Sequence, residues 1–163
     1  MKILLLAGNT LRSNFYSQYL NTNSYRVEGL FYGFHEKEYK SPQLNHETKH
    51  FFIENDLMLP NLEKGIVEVF DNNKWDYQYI EEYDVNSKKV INQIKSVAPD
   101  LVIFSGYGGQ ILNKEHFELN IPYLHNHPGD IPSERGSTTI YYSILNRKAC
   151  TVTAFFMNEK IDA

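Results

Sequence analysis

The chain begins with a segment that has to be buried. Residues 3–7 are apolar at every position and lead into Gly8. A continuously apolar run of this length is typical of a parallel strand that helices cover on both faces. The next residues place Phe15, Tyr19 and Leu20 along one side of a predicted helix. Strand, glycine turn and helix together form the first half of a β-α-β unit.

The same alternation continues along the chain. Further strands are predicted at residues 25–31, 77–80 (a short edge strand), 101–104, 121–124 and 149–156. Helices are predicted at residues 44–59, from 84–87 to Pro99, at 113–119 and after a cap at 137–139, whereas residues 61–75 are weakly patterned. In the last helix Ile140, Ile144 and Leu145 are expected to face the core. This order indicates a three-layer α/β sandwich with a mainly parallel, Rossmann-like sheet.

Composition limits the kind of protein. At 163 residues the chain is long enough for one domain with a real core. The net charge of −4 and the lack of an extended basic segment do not indicate a nucleic-acid partner. Cys150 is the single cysteine, which excludes an internal disulfide, and it is predicted to be buried in the last strand. No apolar run can span a bilayer. We therefore predict a soluble cytoplasmic protein without a membrane partner and leave its oligomeric state open.

Two histidines stand directly after a predicted strand. His125 and His127 are two positions apart and follow the apolar residues 121–124. Residues spaced by two on a strand point to the same side. The carboxyl ends of parallel strands are also where open α/β sheets bind ligands. The segment is therefore a candidate site, although a structural histidine followed by a Pro-Gly turn would give the same pattern.

The loop after these histidines carries a family resemblance. The run His127-Pro128-Gly129-x-x-Pro132-x-x-Arg135-Gly136 resembles the signature loop of the folate-dependent formyltransferases, which include glycinamide ribonucleotide, methionyl-tRNA and sugar-nucleotide N-formyltransferases. The family loop reads Asn-x-His-Pro-Ser/Gly-x-x-Pro-x-x-Arg-Gly and aligns without a gap. His127 falls on the family histidine and His125 falls on the family asparagine, which is a departure. Asp162, in the acidic segment 157–163, falls on the third catalytic residue of the family.

The resemblance implies a fold, a reaction and a set of roles. It implies the formyltransferase fold and transfer of a formyl group from 10-formyltetrahydrofolate to a primary amine. His127 would accept and return the amine proton, and Asp162 would orient the imidazole. His125 would replace the asparagine as a neutral N–H donor to the oxyanion, with its tautomer fixed by a neighbour. Because the family continues beyond its aspartate, residues 1–163 are expected to be an N-terminal catalytic domain truncated at its C-terminus.

The resemblance also implies where the two substrates bind. The folate would lie between a glycine-rich segment and the acidic segment, and the residues expected to bind it are Gly106, Tyr107, Gly108, Gly109, Ile111, Leu112, Glu159 and Ile161. The residues expected to bind the amine substrate are Asn9, Thr10, Arg12, Arg135 and Gly136. Two simpler interpretations remain open: the glycines form a flexible turn, and Thr10 or Ser13 simply caps the first helix.

Several functional alternatives remain. A nucleotide-linked amino sugar is the favoured acceptor, because an acidic chain with 12 Tyr and 10 Phe suits stacking against a base or sugar better than binding tRNA. Methionyl-tRNA and glycinamide ribonucleotide are the alternatives. In a different class, His125, His127 and Asp162 form a metal site, or the chain is a non-catalytic relative. His46 and His50, spaced as metal ligands, are expected on a solvated helix face.

Overall fold

A computed structural model describes residues 1–33, 42–136 and 138–159. In chain order the elements are β1 (Ile3–Gly8), α1 (Leu11–Thr22), β2 (Glu28–Tyr32), α2 (His46–Glu54), α3 (Ile66–Asn73), β3 (Tyr77–Ile80), α4 (Lys88–Val97), β4 (Leu101–Ser105), α5 (Lys114–Phe117), β5 (Tyr123–His127), α6 (Thr139–Arg147) and β6 (Thr153–Phe156). No helix within these ranges is both long and apolar enough to cross a membrane.

The strands form a single sheet in the order β3-β2-β1-β4-β5-β6. All neighbouring pairs are parallel except β5 and β6, which run antiparallel. The predicted α/β sandwich with a mainly parallel sheet is confirmed. The chain moves outward from β1 to β3 and then returns to place β4 on the other side of β1. This reversal of strand order opens a crevice at the carboxyl ends of β1 and β4, where such sheets bind ligands.

The two faces of β1 belong to two separate apolar clusters. Leu4 and Leu6 pack on one face with residues of α4, among them Ile94. Leu5 and Ala7 pack on the other face with Phe70 of α3. Alternate residues of a strand point to opposite faces, so a strand covered on both sides must be apolar throughout. This explains why residues 3–7 carry no polar side chain.

Several element predictions need correction. The strand predicted at residues 149–156 begins at Thr153, and the one predicted at residues 121–124 spans Tyr123–His127. The weakly patterned residues 61–75 contain α3, which buries Ile66, Val69 and Phe70. The helix predicted at residues 44–59 is shorter, because Asn45 caps its start and it ends at Glu54. The strand predicted from residue 25 begins at Glu28. His46 and His50 lie on α2, which buries none of its residues, and His50 pairs with Glu54 at 3.5 Å.

The prediction for the last helix is wrong about its buried face. Ile140, Ile144 and Leu145 of α6 are exposed, Leu145 by 76%. Thr139 and Ser143 are buried instead. Cys150, predicted to be buried in a strand, is exposed and precedes β6.

Candidate active site

A cavity of about 300 Å³ lies beside the carboxyl ends of β4 and β5. Segments that are distant in sequence contribute to its wall. The predicted site residues that line it are Arg12, Tyr107, Gly108, Gly109, Ile111, Leu112, His125, His127, Gly136 and Glu159. The structure thus brings together residues from the first helix, the glycine-rich segment, the histidine strand and the segment after β6.

Other predicted site residues lie elsewhere. Asn9, Thr10, Gly106 and Arg135 are not part of the cavity wall, and Arg135 is exposed. Ile161 and Asp162 lie outside the described residues. The predicted roles of all six residues remain predictions.

Four residues of the cavity wall were not predicted from the sequence: Phe104, Phe117, Pro128 and Phe155. Gln110, Met157 and Asn158 also line the cavity and belong to the two segments between which the folate was expected to lie. Phe104 and Phe155 flank the ring of His125, with centroid distances of 5.8 and 5.9 Å. Their positions can be found from the sequence only if the pairing of β5 with β4 and β6 is known, because each phenylalanine comes from a neighbouring strand.

The ring of His125 is fixed by a main-chain carbonyl. Its Nδ1 lies 3.2 Å from the carbonyl oxygen of Phe104. A carbonyl oxygen can only accept, so Nδ1 carries the proton and the neutral ring has its lone pair on Nε2. The expected role of His125 as an N–H donor to the oxyanion remains a prediction.

His127 is held in the opposite tautomer. Its Nε2 lies 2.9 Å from the carbonyl oxygen of Glu134, and the residue is only 4% exposed. By the same reasoning Nε2 carries the proton and donates to this carbonyl, and the lone pair of the neutral ring lies on Nδ1. The hydrogen bond ties the end of β5 to the loop that follows it.

A buried carboxylate anchors this loop. Glu134 is 7% exposed, and its Oε2 accepts hydrogen bonds from the Ser143 hydroxyl of α6 and, at 3.1 Å, from the N–H of Asp130. Arg147 adds charge, with its Nε 3.6 Å from Oε1. The pKa of Glu134 is lowered, first by the Ser143 hydroxyl and then by the Asp130 N–H, because both stabilise the ionised form.

Hydroxyl groups hold the same loop at two further points. Thr139 of α6 donates to the carbonyl of Pro128. Thr153 of β6 donates to the carbonyl of Gly129 at 2.7 Å and accepts from the N–H of Ile131 at 3.2 Å. The loop that carries the family signature is therefore attached to both α6 and β6 by polar side chains.

On the opposite wall the ring of Tyr107 connects three strand ends. Its hydroxyl accepts from the N–H of Asn9 at 3.1 Å and donates to the carbonyl of Tyr32 at 3.3 Å. Its ring stacks on Tyr83 with a centroid distance of 4.9 Å. The main-chain N–H of Asn9, a residue predicted to bind the amine substrate, is thus bonded within the protein.

The glycines of the next segment differ in their surroundings. A Cβ on Gly106 would lie 2.6 Å from Cζ of Phe104, so this glycine is required by packing rather than by a ligand. Gly108 and Gly109 line the cavity and have no atom near the position of a Cβ. Within this segment, Gly108 and Gly109 therefore leave room for close approach by a bound molecule.

The start of α1 is capped, and Arg12 joins it to the cavity. Thr10 accepts the N–H of Ser13 at 3.2 Å, which agrees with the simple capping interpretation. Arg12 donates from Nη2 to the carbonyl of Gly106 at 2.7 Å. Its Nε is buried, and within the described ranges no hydrogen-bond partner faces it. Arg12 thus fixes one wall of the cavity.

A third histidine lies beneath the sheet, outside the cavity. His116 is fully buried, with Nε2 3.2 Å from the carbonyl of Val85 and Nδ1 3.2 Å from the hydroxyl of Tyr123. Nε2 therefore donates to the carbonyl and Nδ1 accepts from the tyrosine. Burial lowers the pKa of His116, because the charged ring would lose its hydration.

The structure contributes one observation on the metal hypothesis. In the part of the chain that it describes, no three His, Cys, Asp or Glu side chains are grouped so that they could hold a metal ion. Asp162, the third ligand of that hypothesis, is outside this part.

The chain is similar to known formyltransferases in sequence and in fold. No protein-family model matches the chain. The methionyl-tRNA formyltransferase of a Nitratiruptor species is 32% identical over 104 residues, which are 63% of this chain and 32% of that protein. The chain spans a quarter to a third of the length of the curated relatives it matches.

Solved structures share the fold at low identity. The phosphoribosylglycinamide formyltransferase from Anaplasma phagocytophilum superimposes with a TM-score of 0.67 at 12% identity, covering 100% of this chain and 67% of that chain. A sugar N-formyltransferase from a Shewanella species gives a TM-score of 0.56 at 20% identity, covering 99% and 53%. At these identities the likeness concerns the fold alone.

The sheet order and the cavity at its carboxyl edge define an α/β protein with the formyltransferase fold. The signature loop predicts a resemblance to the formyltransferases, and these comparisons confirm it. The matched proteins are enzymes.

Proposed function

We propose that this protein transfers a formyl group from 10-formyltetrahydrofolate to a primary amine. The observation that carries the proposal is the pair of imidazoles, His125 and His127, in one cavity at the ligand-binding edge of the sheet. Formyl transfer requires the amine to lose a proton and the donor nitrogen to gain one. A neutral imidazole can do both near neutral pH.

The composition of the cavity wall also supports the proposal of a folate donor. Its wall combines apolar side chains, among them Leu112 and Met157, with the open positions at Gly108 and Gly109. A flat heterocycle can lie against such a surface, and polar groups at the rim can fix its orientation. When bound, the donor supplies the formyl carbon. Gly108, Gly109, Ile111, Leu112 and Glu159 are the proposed contacts for it, and Tyr107 supports them.

Two charged residues complete the proposed site. The guanidinium of Arg12, which lines the cavity, would offer a donor to the oxyanion or to an anionic group of the acceptor. Asp162 stands three positions after the cavity residue Glu159 in sequence. We keep it, on the family resemblance, as the carboxylate that stabilises an imidazolium.

The acceptor is proposed to be an amine carried by tRNA or by glycinamide ribonucleotide, ahead of a nucleotide-linked amino sugar. The sequence relatives support this order, because they are named methionyl-tRNA formyltransferases. The nucleotide sugar, which composition favours, ranks third, although a sugar N-formyltransferase is among the structural neighbours.

The test uses the full-length protein. Binding of a 10-formyltetrahydrofolate analogue is measured by calorimetry, and turnover is measured with methionyl-tRNA, glycinamide ribonucleotide and a panel of nucleotide-linked amino sugars. Replacing both His125 and His127 by alanine should reduce turnover by at least about 100-fold, the usual scale for losing proton transfer. The control replaces His46 and His50, the exposed histidines of α2, and should leave turnover unchanged. No binding and no turnover with any acceptor would refute the proposal.

A further inference from the structure

We infer that residues 83–86, the clamp segment between β3 and α4, hold the glycine-rich segment 106–112 in the shape that binds the formyl donor. The inference rests on the proposed function, because it concerns the same cavity. Asn86 of the clamp segment and Tyr32 at the end of β2 are the positioning residues. Neither is among the cavity-lining residues that the structure describes, and each is bonded to a residue that is.

The glycine-rich wall needs support from outside. Gly108 and Gly109 line the cavity, and no described atom lies near the position that a Cβ would take on either. Glycine loses more conformational freedom on ordering than any other residue, and these two have no side chain to pack. A wall that holds its binding shape only part of the time binds its ligand more weakly by that fraction. The bonds on either side of the two glycines therefore influence how tightly the cavity binds a ligand.

Asn86 supports the end of the glycine-rich segment. Its Nδ2 donates to the carbonyl of Ile111 at 2.9 Å, and its Oδ1 accepts from the N–H of Asn113 at 2.8 Å. Both partners are main-chain groups, so the amide side chain pairs with this backbone as a neighbouring strand would. Ile111 lines the cavity with a side chain that is 54% exposed, and its own packing does not fix it. The bonds to Asn86 do.

Gln110, directly after the two glycines, is held from two sides. Its Nε2 donates to the carbonyl of Tyr83 in the clamp segment at 2.6 Å. Its Oε1 accepts from the hydroxyl of Tyr32, also at 2.6 Å. A carbonyl can only accept, so the bond to Tyr83 fixes the orientation of the amide and makes Oε1 the acceptor for Tyr32. Because Tyr32 is 1% exposed, this support comes from the core of the sheet.

The residue before the two glycines is also in contact with the clamp segment. The ring of Tyr107 stacks on that of Tyr83 at a centroid distance of 4.9 Å. The glycine pair is therefore flanked by Tyr107 and Gln110, and both contact Tyr83.

The clamp segment is itself fixed by bonds to other parts of the protein. Val85 is fully buried, and its carbonyl accepts from Nε2 of His116 at 3.2 Å. The carboxylate of Asp84 accepts the N–H of Asn86 at 2.9 Å, which orients the residue. None of these bonds involves the glycine-rich segment. The clamp segment can therefore act as a fixed support for that segment.

A support of this kind affects the binding of the donor and not the transfer of protons. Asn86→Ala loses two hydrogen bonds and should raise the Kd and the KM for the donor about 10-fold. Tyr32→Phe keeps the ring and loses one bond, and should raise them about 3-fold. The kcat at saturating donor should change by less than about threefold, because His125 and His127 are untouched. This pattern is the one expected when only ligand binding is lost.

Calorimetric titration of the full-length protein with a 10-formyltetrahydrofolate analogue tests the effect on binding. Asn86→Asp keeps the shape of the side chain and the acceptor for Asn113, but places an oxygen against the carbonyl of Ile111, so it should weaken binding as well. Asn45→Ala is the matched control. It removes a bond of 2.7 Å to the N–H of Thr48 at the start of α2, away from the cavity, and should bind as wild type does. Wild-type affinity in both Asn86 variants would overturn the inference.

Backbone dynamics test the clamp without any ligand. In ¹⁵N relaxation measurements on the free full-length protein, the order parameters of residues 108–111 should fall in Asn86→Ala from about 0.85 to about 0.6 or less. Those of β1 and β4 should not change, and Asn45→Ala should resemble wild type throughout. Unchanged order parameters at residues 108–111 would overturn the inference even if the wild type binds the analogue. If they fall but the wild type binds no analogue, the proposed function fails and the clamp on the cavity wall stands.

Discussion

The ring of Tyr107 lies against two glycines, so adding a methyl group to either glycine should destabilise the protein by a calculable amount. A Cβ on Gly33 would lie 2.8 Å from Cε2 of Tyr107, and Gly33 has a φ of +108°. Overpacking of this kind costs about 1–3 kcal/mol, and a side chain at such a φ costs about 1–3 kcal/mol more. Gly33→Ala should therefore lose about 2–6 kcal/mol of stability.

Gly8 isolates the packing contribution. A Cβ there would lie 2.7 Å from Cε2 of the same ring, but its φ is outside the left-handed region. Gly8→Ala should then cost only the packing part, about 1–3 kcal/mol. Gly108→Ala is the matched control, since no atom lies near its Cβ position, and it should change stability by less than about 0.5 kcal/mol.

Urea unfolding followed by the fluorescence of the buried Trp75 measures these free energies. For a domain of this size each kcal/mol also shifts Tm by about 2–4 °C. Each glycine variant is then combined with Tyr107→Leu in a double-mutant cycle. The smaller side chain should remove most of the cost of Gly8→Ala and only part of the cost of Gly33→Ala. Costs that are undiminished in the Tyr107→Leu background would show that the tyrosine ring is not what restricts these positions.

Two further predictions concern stability. Burial lowers the pKa of His116 from its ordinary value of 6.5, so below about pH 6.5 the unfolded chain binds a proton more readily than the folded protein, and stability is lost as the pH falls. The urea midpoint should therefore fall less between about pH 7 and about pH 5 in His116→Gln than in wild type or in the exposed control His50→Gln. Equal falls in the three proteins would contradict this. Gly65 caps α3 without a side-chain hydrogen bond, has a φ of −77° and has no atom near its Cβ position. Gly65→Ser should therefore raise the free energy of unfolding by about 0.5–1 kcal/mol. A decrease would show that the added hydroxyl does not reach the N–H groups at the start of the helix.

The sheet and the position of the site follow from local sequence signals. Residues 3–7 and 101–104 are apolar throughout because helices cover both faces of their strands. All strands of a parallel sheet have their carboxyl ends at the same edge. His125 and the segment after residue 104 could therefore be placed together without knowledge of any contact. The aromatic residues around His125 could not be placed in this way, because they belong to neighbouring strands. Local sequence patterns do not specify the register of those strands.

Two helices could not be predicted correctly for different reasons. Helix α3 is only eight residues long and begins after Gly65. The residue that caps its end, Lys74, has the left-handed conformation, and no glycine in the sequence marks this position. In α6 the apolar spacing of Ile140 and Ile144 favours the wrong face. Ser143 faces inward because the buried carboxylate of Glu134 needs a donor, and an unsatisfied buried carboxylate would cost more than exposing aliphatic side chains.

The bonds that close the cavity connect residues that are far apart in the chain. The hydrogen bonds from Asn9 to Tyr107 and from Arg12 to the carbonyl of Gly106 span 98 and 94 residues. Contacts of such sequence separation form only after the intervening chain is ordered, because closing a long loop loses entropy before it gains interactions. We expect the cavity to be assembled late in folding, after β1–β3 and β4 have docked. Ligand affinity then reports whether the whole sheet is folded, and a folding defect in β2 or α3 would be detected as a loss of binding.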